Sequence, residues 1–233
     1  MPKIDWMYDD RRQVGLDFDG DGQAATYDAR QTVDVAEDMA LLERLGVGSQ
    51  HALADLGCGT GVFLCEAAKR CAHAVGVDIS TRMLDVAKRR CATAGLRNVE
   101  FVQEGFLGFA PPDASFDFVT SKFAFHHLPD FWKAMALVRI NRMLKPGGVF
   151  FLRDVVFSVP PERLGAAVED WISWMTANTG YTRDDVVTHV RDEHSTFDWI
   201  ILGLLERSGF RVRWHEADSP TYADYCCEKA TTV

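Results

Sequence analysis

The six cysteines of this 233-residue chain, Cys58, Cys65, Cys71, Cys91, Cys226 and Cys227, are scattered and include no CxxC pair. That spacing excludes a cysteine-ligated zinc framework and a secreted disulfide scaffold, so the cytoplasm is the expected compartment. Long apolar runs are also missing. None approaches the roughly 20 residues that a membrane span needs, and the segment MPKIDWMYDDRR contains no apolar signal core. No membrane partner is expected. Positive charge is short, with 25 Lys and Arg against 34 Asp and Glu, a net charge of −9 and a pI near 5.2. A protein that tracks nucleic-acid phosphates needs the opposite balance, so nucleic acid is not an expected partner. Repeats, low-complexity tracts and Gly/Ser-rich linkers are absent too, which argues against tethered modules.

What is present is an ordinary globular composition, 47% hydrophobic and 25% charged. Helix-like periodicity from residue 33 to 45 ends at Gly46, and strand-like and helix-like stretches then alternate. Strands are expected at 52–55, 74–78, 99–103, 116–120 and 149–156, with helices starting at Val62, Thr81 and Pro129–Asp130. Ser80 is placed to cap the Thr81 helix and Gly95 to end it. This alternation predicts an α/β fold, doubly wound around a mostly parallel sheet. It fails between residues 158 and 193, where an apolar helix precedes a polar stretch. A helix at 196–207 and two strands, 210–215 and 223–228, close enough to pair as a hairpin, complete the pattern. The expected organisation is an N-terminal lid over 1–32, a main domain over 33–156 and 194–233, and a helical cap inserted at 157–193.

Gly57, Gly59 and Gly61 stand at alternate positions between a strand and a helix, where the backbone must turn tightly and approach a ligand closely. Asp78 closes the next strand, so its carboxylate is expected to reach the same crevice and accept from two ribose hydroxyls. A dinucleotide loop, GxGxxG, would need glycine at position 62, which is Val62. A nicotinamide oxidoreductase is therefore the weaker alternative. Asp55 suits a ligand that brings an ammonium group rather than a pyrophosphate.

The run 53–63 (LADLGCGTGVF) resembles the first motif of the class I, Rossmann-like S-adenosylmethionine-dependent methyltransferases. The similarity continues through VGVDIS with Met83, SFDFVTSKFAFHHL, LKPGG and LERSGF. The resemblance implies a seven-stranded sheet with an antiparallel last strand. It also implies S-adenosylmethionine as methyl donor, S-adenosylhomocysteine as product and a small molecule as acceptor. Asp55, Gly57, Cys58, Gly59 and Gly61 would line the methionine end, Asp78 would hold the ribose, and Ile79 and Met83 would pack on the adenine. Ser121, Lys122 and Phe123 follow the fourth strand, where the family's chain passes the methionine. After the third strand the family often has Gly-Asp, with the acid near the adenine amino group. Here Glu104 and Gly105 stand in the other order, so the expected adenine contact is either Glu104 from a shifted position or the backbone around Phe106 alone.

Further candidates follow from position. His126 and His127, after the fourth strand, are placed to remove a proton from the acceptor or to anchor the loop. Arg153 and Asp154, at the end of the fifth strand, are expected to face the cleft. Trp171, Trp174 and Met175 in the cap supply an aromatic wall, or else core. Asp17, Asp19, Asp21 and Asp28 match part of a calcium loop, but Ala25 occupies its ninth position. The preferred reading there is a lid that brings Tyr27 to the cofactor, so no metal is implied. The expected reaction is in-line displacement at the sulfonium methyl; a non-catalytic cofactor sensor or scaffold is the other alternative. Beyond the small acceptor, the one protein partner expected is a second copy, as a homodimer.

Overall fold

The computed structural model describes residues 5–12, 14–15, 27, 28, 30 and 34–230. Helix α1 (Val35–Leu45) opens on Asp34, whose carboxylate accepts from the amides of Ala36 and Glu37 at 2.9 and 3.2 Å. It stops at Gly46, in the left-handed region at φ 78°. The chain then alternates β1 (Ala52–Leu56), α2 (Val62–Ala68), β2 (His73–Asp78), α3 (Thr81–Thr93), β3 (Val99–Gln103) and β4 (Phe116–Lys122). Ser80 caps α3 by accepting from the Met83 amide at 3.1 Å, and Gly95 follows at φ 72°, as the sequence predicts.

After β4 come α4 (Asp130–Met143), β5 (Leu144–Asp154), the short β6 (Val156–Phe157), α5 (Leu164–Asn178), α6 (Arg183–Asp192), β7 (Thr196–Phe197) and α7 (Asp198–Arg207). The hairpin β8 (Phe210–Ser219) and β9 (Tyr222–Lys229) completes the chain. The seven-stranded sheet runs β3-β2-β1-β4-β5-β9-β8, with β9 antiparallel to both neighbours and the other described pairs parallel. This is the doubly wound fold and antiparallel last strand that were expected.

Side-chain alternation along the strands divides the core. Leu53 of β1 packs with Leu42 of α1 and Leu64 of α2 on one face of the sheet. Ala54 and Leu56 pack with Leu137 and Ile140 of α4 and Leu205 of α7 on the other. Helices thus cover both faces, as a buried parallel sheet requires. The strand order reverses between β1 and β4, which places a crevice at their carboxyl ends.

The structure departs from the sequence reading at 183–192, where the polar stretch is helix α6. It has little apolar face, with Val186 its buried residue, but a capping box holds its start: Thr182 and Asp185 exchange side-chain and backbone hydrogen bonds. β6 and β7 also pair as a separate two-residue parallel ribbon, too short to leave a periodic signal. Among the described residues no helix is long and apolar enough to cross a membrane.

Candidate active site

The turn between β1 and α2 is built by three glycines in the left-handed region, Gly57 at φ 73°, Gly59 at 52° and Gly61 at 75°. The amides of Gly57 and Cys58 both donate to the Val77 carbonyl, at 2.8 and 3.0 Å, which ties the turn to β2. A Cβ on Gly57 would stand 2.2 Å from the Ala124 Cβ, and one on Gly61 would stand 2.7 Å from the Ala87 Cβ. A Cβ on Gly59 would meet nothing within 4 Å. Two glycines are thus required by protein packing, while the third faces open space. Gly57→Ala is expected to lower the melting temperature and abolish S-adenosylhomocysteine binding, since the left-handed backbone alone costs about 1–2 kcal/mol before the clash. Thermal melts and calorimetry check both effects.

Asp78 sits at the end of β2 and accepts from the Gly59 amide at 2.8 Å and the Ser80 amide at 2.9 Å. It lines a cavity of about 410 Å³ at the carboxyl ends of β1 and β4. Tyr27, Gly57, Gly59, Ile79 and Met83 line the same end, with Glu104, Gly105 and Phe106 beyond them. Phe123, also lining it, is held at φ 53° while its amide donates to the Arg153 carbonyl at 2.8 Å. A non-glycine residue in that region marks stored backbone strain, which tends to gather at functional sites.

Asp55, Cys58, Gly61, Ser121 and Asp154 do not line the cavity. Asp55 pairs in register with Thr120, so the two side chains share one face of the sheet, and the Thr120 hydroxyl donates to Asp55 at 2.8 Å. Burial raises the Asp55 carboxyl to about 7, against the lowering effects of Thr120 and Lys122. Cys58 turns its sulfur towards Gly76 of β2, Gly61 packs on Ala87 of α3, and Ser121 is wholly buried. Asp154 stands behind His126, and Arg153 is clamped by Asp224 at 2.7 and 2.6 Å and by Glu37 at 2.5 Å. Asp17, Asp19 and Asp21 of the calcium pattern lie outside the described residues. Asp28 accepts from the Thr60 hydroxyl at 2.6 Å and pairs with the Arg90 guanidinium. A carboxylate neutralised in that way is a poor calcium ligand.

The other end of the cavity lies under α5 and α6. Trp171, Trp174 and Met175 line it from α5, so they do not serve as core alone. Trp171 stands edge-on to His189 with ring centres 5.1 Å apart. His126 and His127, both lining the cavity, leave β4 on a 3-10 turn (Phe125–His127). His126 lies between two carboxylates, with Nδ1 2.5 Å from Asp154 and Nε2 3.2 Å from Glu193. Burial alone would lower this imidazole, yet Asp154 and Glu193 raise it to about 9. Burial and the neighbouring His126 push His127 down to about 3. Burial works to raise the Glu193 carboxyl, but His126 and His189 hold it well below the usual range.

Several lining residues carried no expectation from sequence. Asp10 and Arg12 close the end near Gly105 and Phe106, where the Asp10 carboxylate accepts from the Leu107 amide at 2.7 Å. That contact spans 97 positions and leaves no local signal. His189 and Glu193, four apart in THVRDEHS, did carry one, because that spacing on a helix puts two ligand-type side chains on one face.

Residues 53–148 match the methyltransferase domain family. The chain is 35% identical over 112 residues to a demethylmenaquinone methyltransferase of Staphylococcus aureus, an alignment covering 47% of this chain and 45% of that one. It therefore spans about half the length of the relatives it matches. Among solved structures, the YcgJ protein from Bacillus subtilis superposes with a TM-score of 0.65 at 17% identity, covering 84% of this chain and 100% of that one. An S-adenosylmethionine-dependent methyltransferase from Aquifex aeolicus gives 0.60 at 18% identity, covering 85% and 100%. Residues 53–148 thus carry a methyltransferase domain, and the sheet order and glycine loop agree with the class I S-adenosylmethionine-dependent fold, for which S-adenosylmethionine is the implied cofactor.

Proposed function

We propose that this protein transfers the methyl group of S-adenosylmethionine to a small molecule held under α5 and α6. The observation that carries the reading is one cavity whose lining runs from Gly59 and Asp78 to Trp171 and the histidines. The cofactor supplies a methyl group on a sulfonium, open to in-line attack by an acceptor atom. The open space at Gly59 fits close backbone approach by such a ligand, and Asp78 is placed to take its ribose hydroxyls. At the other end, Trp171 and Trp174 offer aromatic faces that order a flat or apolar acceptor and exclude water. Catalysis then comes mainly from alignment of the acceptor with the methyl group.

The matching relatives are named for demethylmenaquinone, which agrees with a flat, apolar acceptor. The matched domain ends before α5, however, so the acceptor class rests on the aromatic wall rather than on that likeness. Incubation with S-adenosylmethionine and pools of aromatic and quinone-like small molecules tests the reading, with S-adenosylhomocysteine release and the mass of the methylated product as readouts. Trp171→Ala is expected to leave S-adenosylhomocysteine affinity unchanged and to reduce turnover about 100-fold by misplacing the acceptor. Equal turnover in both proteins would place the acceptor elsewhere.

A further inference from the structure

Four metal-ligating side chains from two distant segments meet at the acceptor end of the cavity. His126 and His127 come from the 3-10 turn after β4, and His189 and Glu193 from the end of α6 and the residue after it. One ligand atom each from His126, His127 and Glu193 lies within 4.8 Å of the others. The ring centres of His126 and His127 are 4.4 Å apart, and His126 Nε2 is 3.2 Å from Glu193 Oε2. Metal–ligand bonds of about 2.0–2.2 Å at a tetrahedral angle separate ligand atoms by roughly 3.4 Å. The His126–Glu193 spacing already matches, and small side-chain rotations close the rest.

Two further observations separate this cluster from an ordinary ion-pair network. Asp154 engages His126 Nδ1 at 2.5 Å and also accepts from the Val155 amide at 2.8 Å. A buried carboxylate on one ring nitrogen fixes the tautomer and aims the other nitrogen, which is how metal-binding histidines are usually held. In addition, His127 Nδ1 is buried and finds no hydrogen-bond partner among the described residues. Leaving such a buried atom unsatisfied is costly, and a metal ion satisfies it.

We propose that His126, His127 and Glu193 bind one divalent cation of the zinc class, with His189 holding Glu193 in place. His189 Nδ1 pairs with the Glu193 carboxylate, and its Nε2 lies 2.8 Å from the Ser195 hydroxyl. Two imidazoles and a carboxylate suit zinc and its transition-metal neighbours rather than calcium or magnesium, which take oxygen ligands. Three protein ligands leave a coordination position open, as in catalytic rather than structural sites. That position suits an anionic oxygen of the acceptor, a corollary that rests on the methyl-transfer reading; the metal site itself does not. It departs from the sequence reading, which implied no metal.

The test is titration of the chelator-stripped full chain with Zn²⁺ against a fluorescent chelator, with Co²⁺ absorption as a report of ligand geometry. One saturable equivalent is expected, together with a rise in melting temperature. Changes behind the ligands typically weaken metal sites by about 10–100-fold, so His127→Ala and Glu193→Gln are each expected to cost at least about 100-fold. S-adenosylhomocysteine binding by calorimetry, measured without metal, is expected to persist in both variants, which shows them folded and keeps a failed metal site distinct from a failed methyl-donor site. The absence of saturable Zn²⁺ binding, or wild-type affinity in both variants, would overturn the proposal.

Discussion

Asp78→Ala is expected to weaken S-adenosylhomocysteine binding by at least about 100-fold. Its carboxylate lines the cavity and accepts from the Gly59 and Ser80 amides, so it both shapes the glycine turn and faces the cavity in which the ribose is proposed to lie. A carboxylate accepts at about four positions, so it can serve the turn and a ribose together. Hydrogen bonds to a charged group contribute about 1.5–3 kcal/mol each, and each 1.4 kcal/mol is about tenfold in affinity. Loss of two such bonds to the ribose therefore reaches two orders of magnitude before any loosening of the turn. Calorimetry on both proteins checks it, with Asp78→Asn expected to fall between them. An affinity in Asp78→Ala within a few-fold of wild type would place the nucleoside elsewhere.

The second large effect concerns stability. Asp55 is buried beside Thr120, and burial raises its carboxyl from 3.8 to about 7. Between those values the folded state holds a proton that the unfolded state has released. The stabilising contribution is therefore fully present below pH 4 and is lost as pH rises through about 7. One pKa unit corresponds to about 1.4 kcal/mol, so the whole span is on the order of 4 kcal/mol. Asp55→Asn mimics the neutral form and has no such slope. Near pH 4 the two proteins should be similarly stable, and by pH 8 the variant should be the more stable by several kcal/mol. Urea denaturation across that pH range measures the difference; a constant difference would mean that Asp55 ionises as an ordinary surface carboxylate does.

The parts of the site that were legible in the sequence are those set by local spacing. Alternate glycines between a strand and a helix, followed by an acid at the end of the next strand, place Gly57, Gly59 and Asp78 through backbone geometry alone. The hairpin of β8 and β9 and the Ser80 cap were legible for the same reason. The partner of Asp55 was not legible because it is set by strand register: Asp55 pairs with Thr120, whose hydroxyl holds the carboxylate outside the cavity lining. Asp154 was read as facing the cleft, but the strand end places it behind His126. Asp10 could not be read at all, since it reaches Gly105 and Leu107 only through the folded chain. Helix α6 hid behind its polar composition, and with it the meeting of His189 and Glu193 with His126, 63 or more positions away in sequence.

The central claim is that the cavity between Gly59 and the histidines receives S-adenosylmethionine. Calorimetric titration of the full chain with S-adenosylhomocysteine and, separately, with NAD tests it most directly. Saturable 1:1 binding of S-adenosylhomocysteine is predicted, with no detectable heat from NAD. Saturable binding of NAD with no response to S-adenosylhomocysteine would contradict the account.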